Sequence, residues 1–462
     1  MKRSPVRATA VLMSVGALAL VAACGNSNES ASPGTSPTSA AATTGAAPSV
    51  SASASASESP SATASSKEPD KTPVPGAGGS DGVFTVGTLL PQTGSLAFLG
   101  PPEEAGVQLA INDINAAGGT LGKPAVLSKG DSGDTTTDIA TQTVTRQLAA
   151  KADLILGAAS SGVSLTVNDK IVNSGVIQFS PANTSTKFTD YPDKDLYFRT
   201  APSDLLQGGV VGNLIVGDGF NKVGILALQD PYGTGLASEA AKAIKAGGGE
   251  TAGEPIIYDP TAATYDDVVG QMKQRNPDAI LLIGFEESKK VITALVAAGI
   301  GPGTVPLYGV DGNTGNALGE DLPPGTLLGL KGTTPLTELS KDFEAKLKKI
   351  DGKLKDFNYA GESYDAVVVT ALAMEVAKTD KPVDAAKEII GVTKDGTKCT
   401  TYADCLKLVK AGTDIDYDGI SGAIEFDDKG DPSVASYGVL VFGKDNKLDD
   451  TKRTFVTAGG TK

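Results

Sequence analysis

Asp153-Leu-Ile-Leu-Gly157, followed by Ala158-Ala-Ser-Ser-Gly-Val-Ser164, is the stretch on which the fold turns. Three apolar residues between an aspartate and a glycine form a short strand with no polar face, which suits a strand covered on both sides. The small residues after it open a helix, so strand, loop and helix follow within a few positions. The motif recurs along the chain. Phe84–Leu90, Val176–Phe179, Lys222–Leu228, Ala279–Ile283 and Val305–Tyr308 are further apolar runs bounded by turn residues. Between them lie helical patterns. Val107, Ala110, Ile111 and Ile114 fall at i, i+3, i+4 and i+7 and stop at Gly118-Gly119, while Gly235–Ala246 and Ser288–Ala298 read as helices. Alternation of this kind predicts an α/β protein with parallel sheets and helices on both faces.

The stretch from about 83 to 462 is too long for one core, since cores stop growing near ~250–300 residues. Two doubly wound parallel-sheet lobes with a cleft between them are expected, with ligands held in loops at the carboxyl ends of strands. Toward the C-terminus Leu336–Ile350 and Tyr359–Ala377 read as helices. Two strand-like runs, Ile420–Phe426 and Ser436–Phe442, flank the turn signal Asp427-Asp-Lys-Gly-Asp-Pro432.

The N-terminal part differs in kind. Lys2, Arg3 and Arg7 precede the apolar run 8–23, which is too short and too weakly apolar for a membrane span and reads as an export signal. Its end, Val21-Ala22-Ala23-Cys24-Gly25, resembles the lipobox of bacterial lipoproteins, which implies a lipid on Cys24 and a protein tied to a membrane outside the cytoplasm. Residues 24–82 are almost wholly Ser, Ala, Thr, Pro and Gly. They read as a disordered tether with a mean span of roughly 40–45 Å.

Composition narrows the function. The formal net charge is −14 and argues against a nucleic-acid partner. The chain has no histidine, which excludes Ser-His-Asp chemistry and His-ligated metals. No cofactor is expected. Cys399 and Cys405 are close in sequence, and in an exported protein they are expected to form a local disulfide. Asp414, Asp416, Asp418 and Glu425 match a calcium-loop spacing, but the stretch after Glu425 reads as strand and turn, not the exit helix of an EF-hand.

The polar loops after buried strands are the candidate site. Ser160, Ser161 and Ser164 open one helix, and Ser180-Pro-Ala-Asn-Thr-Ser185 follows the next strand. Together they offer hydroxyls and free N–H groups suited to a carboxylate. Serines at helix starts are, however, often plain caps. Gln229-Asp-Pro-Tyr-Gly233, Gly284-Phe-Glu-Glu287 and Gly309-Val-Asp-Gly-Asn313 add Tyr232, Phe285 and Asp311, a set able to wall in and pair with an ammonium group.

In order and spacing the chain resembles the branched-chain amino-acid-binding proteins, substrate-binding lipoproteins of ABC importers with the type I periplasmic-binding fold. The resemblance rests on Gln92-Thr-Gly94, Glu104–Asn115 with Ala116-Ala-Gly-Gly119, and Ile155-Leu-Gly157 with Ser160-Ser161. It continues through Ser180–Thr184, Phe198-Arg-Thr-Ala-Pro-Ser-Asp204, Asp230-Pro-Tyr-Gly-Thr-Gly235 and Tyr417-Asp-Gly-Ile-Ser-Gly422. It implies two lobes joined by hinge crossovers, lobe 1 from 83–201 and 333–430, lobe 2 from 202–332 and 431–450, and a tail at 451–462. It also implies that Ser161, Ala182 and Thr184 hold a solute's carboxylate, that Tyr232 packs over it, and that Asp311 holds its ammonium group. Leu99, with Phe98 beside it, stands where the family has an aromatic. Phe285-Glu286 stand where leucine-binding members have tyrosines, and Glu286 would favour a second positive group. The implied function is capture of an amino acid or similar small zwitterionic or amide solute by hinge closure and delivery to an ABC permease. Binding is then the whole function, with no catalytic residue. The alternatives are a ligand-sensing lipoprotein uncoupled from transport, an exported amidohydrolase and an envelope scaffold.

Overall fold

The structure, a computed structural model, describes residues 69–460. The export signal, Cys24 and the tether as far as residue 68 lie outside the described residues, as do the last two positions.

The first sheet is built from β1 (Thr85–Leu89), β2 (Val126–Ser128), β3 (Leu154–Gly157), β4 (Ile177–Ser180) and β5 (Tyr197–Arg199), all parallel, in the order β2-β1-β3-β4-β5. The helices α1 (Gly100–Ala116), α2 (Ile139–Ala149) and α3 (Ser161–Asn173) alternate with them. Continuous apolar strands feed both faces. Leu154 and Leu156 of β3 join one core, with α1, while Ile155 joins another with Val144 of α2 and Val163 and Val167 of α3.

After β5 the chain crosses to a second sheet. Here α4 (Asp204–Gly217), β6 (Lys222–Leu228), α5 (Pro231–Ala246), β7 (Glu250–Thr251), β8 (Ile256–Tyr258), α6 (Asp266–Arg275), β9 (Ala279–Ile283), α7 (Ser288–Ala297), β10 (Leu307–Gly309) and β11 (Lys331–Pro335) follow one another. The chain then returns to lobe 1 with α8 (Lys341–Ile350), α9 (Ala360–Ala377), α10 (Pro382–Ile389), β12 (Thr397–Cys399), α11 (Tyr402–Lys410), β13 (Ile415–Gly419) and β14 (Gly422–Ala423). The helix α9 is buried along nearly its whole length and completes the lobe 1 core against α1. The two helices approach closely: a Cβ at Gly106 would come 2.2 Å from the Ala360 carbonyl oxygen.

The third crossing brings β15 (Val434–Val441) antiparallel to β11, and β16 (Thr454–Gly459) pairs antiparallel to β15. The expected tail at 451–462 is therefore corrected over most of its length. Thr454-Phe-Val-Thr is β-prone, and it satisfies the open edge of β15. The first and third crossings are stitched by a buried ion pair. Arg199 Nε and Nη2 donate to Asp431 Oδ1 and Oδ2 at 2.5 and 2.6 Å, and Arg199 Nη1 donates to the Ser185 carbonyl at 2.8 Å.

The tether is corrected at its end. Residues 69–82 lie on lobe 1. Lys170 Nζ pairs with Asp70 at 2.6 Å, Lys71 with Asp169 at 3.1 Å, and the Val74 N–H donates to Ser174 Oγ at 2.9 Å. Val74 and Ala77 pack against the α2–α3 core. Farther on, the Asp380 carboxylate receives the Ser80 hydroxyl and the N–H groups of Asp81, Gly82 and Val83. Composition could not reveal this, because the energy comes from a few specific partners rather than from apolar content.

Cys399 and Cys405 are bonded to each other. The calcium-loop alternative is not formed. Ile415–Gly419 is a strand, and Lys398 Nζ sits between Asp416 and Asp418 at 2.9 and 3.0 Å. Among the described residues no group of three or more His, Cys, Asp or Glu side chains could hold a metal ion.

Candidate functional site

The loops at the carboxyl ends of β3, β4, β6, β9 and β10 converge between the lobes. The β3–α3 turn is capped by Ser160, whose side chain accepts the Val163 N–H, and Ser161 is the first helical residue. The leading N–H groups of α3 have no intrahelical acceptor and carry the positive end of its dipole. From lobe 2, Asp230 caps α5 and accepts the Tyr232 N–H at 2.8 Å, which fixes Tyr232 at the cleft. Tyr232 stacks on Phe285, with centroids 5.4 Å apart and planes 9° from parallel. Asp311 opens the short turn after β10.

These groups close on one small inner cavity of about 10 Å³, room for roughly one water, lined by Ser161 and Ala182 on one side and by Tyr232, Phe285 and Asp311 on the other, with Leu99 at the wall. Polarity is divided across it. The α3 N-terminus lies on one side with the Ser161 hydroxyl, whose oxygen accepts the Ser185 N–H at 3.3 Å. Asp311 lies opposite. Its Oδ1 accepts from Tyr232 Oη at 2.7 Å and its Oδ2 from Tyr359 Oη at 2.8 Å. Burial pushes the Asp311 carboxyl above its ordinary range, while the hydroxyls of Tyr232 and Tyr359 and the Gln207 side chain draw it back down. An ammonium group beside Asp311 would favour its charged form.

The lobes are closed over this cavity. Ser185 Oγ donates to the Pro231 carbonyl at 3.0 Å, and the Glu286 N–H donates to the Ser95 carbonyl at 3.3 Å. Leu99, Ala159 and Ala182 pack into the lobe 2 core. Gly312 is a point of close approach, since a Cβ there would lie 2.9 Å from the Phe285 ring.

Two residues named from the sequence do not line the inner cavity. Thr184 lies behind it, its carbonyl accepting the Asp204 N–H at 2.7 Å and its Oγ1 buried without a partner. Glu286 is exposed and turns outward to Lys289 at 3.3 Å, because it sits in the turn that starts α7 rather than at the strand end.

Three residues were missed. Leu96 lines the cavity beside Leu99. Tyr359 reaches Asp311 from the N-cap of α9 because its backbone is left-handed, at φ 60°. Asp204 is fully buried at the start of α4, and neither carboxyl oxygen has a partner. Its carboxyl is pushed far up by burial and then by the neighbouring Asp311. The available signal was its place directly after a strand and a capping serine, Ser203.

A profile described as "Periplasmic binding protein" matches residues 83–437. A "Leu/Ile/Val-binding protein homolog 1" of Brucella suis is 26% identical over 362 residues, 76% of this chain and 88% of that protein. Among solved structures, a leucine-binding protein, LivK, from Thermotoga maritima superposes with a TM-score of 0.66 at 20% identity, covering 82% of this chain and 99% of that one. The branched-chain amino acid transporter substrate-binding protein LivJ from Streptococcus pneumoniae, in complex with isoleucine, gives 0.66 at 21% identity, covering 81% and 99%. With a two-lobed sheet architecture, a closed cleft and a profile match across most of its length, the chain belongs to the periplasmic binding protein family.

Proposed function

We propose that the protein is the extracytoplasmic solute receptor of an ABC importer and captures a free α-amino acid between its lobes. The observation that carries this is the divided polarity of one closed cavity. A helix N-terminus with Ser161 stands on one side, and Asp311, held by two tyrosine hydroxyls, stands on the other. A zwitterion matches that division of charge, with the lobes parting to make room for it. Its carboxylate takes the α3 N–H groups and the Ser161 hydroxyl, and its ammonium group takes Asp311. Leu96, Leu99 and the Tyr232–Phe285 stack cover the side chain. The bound solute bridges the lobes and so favours the closed form, which a permease would recognise. The lipid on Cys24 holds the receptor at the membrane.

Calorimetry of the purified protein against the free amino acids tests the reading. Saturable binding that is lost in Asp311→Ala and Ser161→Ala supports it. Binding of no amino acid, with the protein folded, overturns it.

A further inference from the structure

Outside the inner cavity the cleft widens into a second chamber of about 330 Å³. Ser160 and Phe285 line both spaces, so they mark the passage between them. An α-amino acid seated as above has both its carboxylate and its ammonium group engaged inside. Only its side chain can extend past Ser160 and Phe285.

The outer chamber is lined by Asp134, Asp230, Glu286 and Glu287, with Lys289 and Lys290. The carboxyls differ in their surroundings. Glu286 is exposed and paired with Lys289. Asp134 is half-buried and accepts the Thr136 N–H at 3.0 Å. Asp230 and Glu287 are each 9% exposed and neither forms an ion pair among the described residues. Asp230 has a neutral donor, the Tyr232 N–H. Glu287 Oε1 accepts from Tyr258 Oη at 2.8 Å and from the Phe285 N–H at 2.9 Å, and its Oε2 has no partner. Burial pushes the Asp230 carboxyl up to about 6, and Lys187 opposes that from a distance. Two buried acids without an ion pair are costly, and a cation brought into contact with them would be strongly held. The wall leading to them is apolar on one side, where the Phe285 ring lies, which suits a methylene stem.

Resting on the amino-acid reading above, we infer that the solute is an α-amino acid with a long side chain ending in a cation, its stem crossing Phe285 and its charged end held by Asp230 and Glu287. The side chain of a short aliphatic amino acid would not reach Asp230 and Glu287.

The test is calorimetry on the full chain with L-lysine, L-arginine, L-leucine and L-norleucine, repeated with Glu287→Gln and Asp230→Asn. Asparagine keeps the helix cap, so the second variant covers the case in which the first fails to fold. Expected is an affinity for lysine or arginine at least ~10-fold above that for norleucine, about what one charge-assisted hydrogen bond contributes. That ratio should shrink in either variant. Leucine or norleucine binding as tightly as lysine and arginine would overturn the inference and leave the amino-acid reading standing. An equal loss for lysine and norleucine in both variants would also overturn it, since the two acids would then be props of the loop. Binding of none of the four, with other amino acids bound, overturns this inference alone. Binding of no amino acid at all removes both.

Discussion

Tyr359 Oη donates to Asp311 Oδ2 at 2.8 Å across the cleft, from the N-cap of α9 in lobe 1 to the short turn after β10 in lobe 2. The bond links closure to the state of the Asp311 carboxylate. It orients the carboxylate and stabilises its charged form, and it exists only when the lobes meet. Tyr359→Phe should weaken solute affinity by about tenfold, the value of one hydrogen bond to a charged group. Asp311→Asn should cost more, because it removes the charge itself. Calorimetric titration of both variants with one solute checks the order.

The buried pair Arg199–Asp431 fastens two of the three lobe crossings. Arg199→Ala leaves Asp431 buried without its cation and should destabilise the fold by about 3–5 kcal/mol. An apolar double replacement, Arg199→Met with Asp431→Leu, should recover much of that loss. Urea melts of the three proteins separate a stabilising pair from one that is merely costly to break.

Asp153 gives stability a pH dependence. Burial pushes its carboxyl up to about 8, the Thr85 N–H opposes this, and Asp380 and Asp81 add to the rise. The folded state thus holds a proton that the unfolded chain releases near its ordinary value. The unfolded state binds fewer protons between about 4 and 8, so the group's contribution falls as pH rises through that window. Asp153→Asn keeps an acceptor for the Thr85 N–H at 2.8 Å. It should raise Tm at pH 8 more than at pH 5 and flatten the profile between them. A parallel profile would show that other groups set the slope.

Gly106 sits where α1 meets α9. Gly106→Ala would drive a methyl group against the Ala360 carbonyl, and overpacking of that kind costs about 1–3 kcal/mol despite alanine's better helix propensity. A fall in the chemical denaturation midpoint, with unchanged solute specificity, is the expected result.

Much of the architecture was legible because buried parallel strands advertise themselves. Lys222–Leu228 and Ala279–Ile283 are continuous apolar runs and coincide with β6 and β9. Strands of two or three residues, such as β7 and β14, carry too little pattern to be seen. The lining of the candidate cavity was legible where loops follow those strong strands, as at Ser161, Tyr232 and Asp311. It was not legible at Tyr359, because an apolar helical pattern does not say that its leading residue will turn left-handed and reach another lobe. Glu286 was placed too far in for a related reason. Adjacent positions in a turn point in different directions, and Glu287, not Glu286, is the buried one.

The docking of residues 69–82 decides where a mechanical load enters the molecule. Asp70, Lys71 and Val74 grip Asp169, Lys170 and Ser174 at the C-terminal end of α3, whose opposite end borders the inner cavity. Thirteen residues of helix separate the two ends by about 20 Å. A pull on the N-terminus is therefore taken up by lobe 1, at the far end of a rigid rod. The described contacts of this segment are with lobe 1, so a load of that kind would leave lobe 2 free to swing.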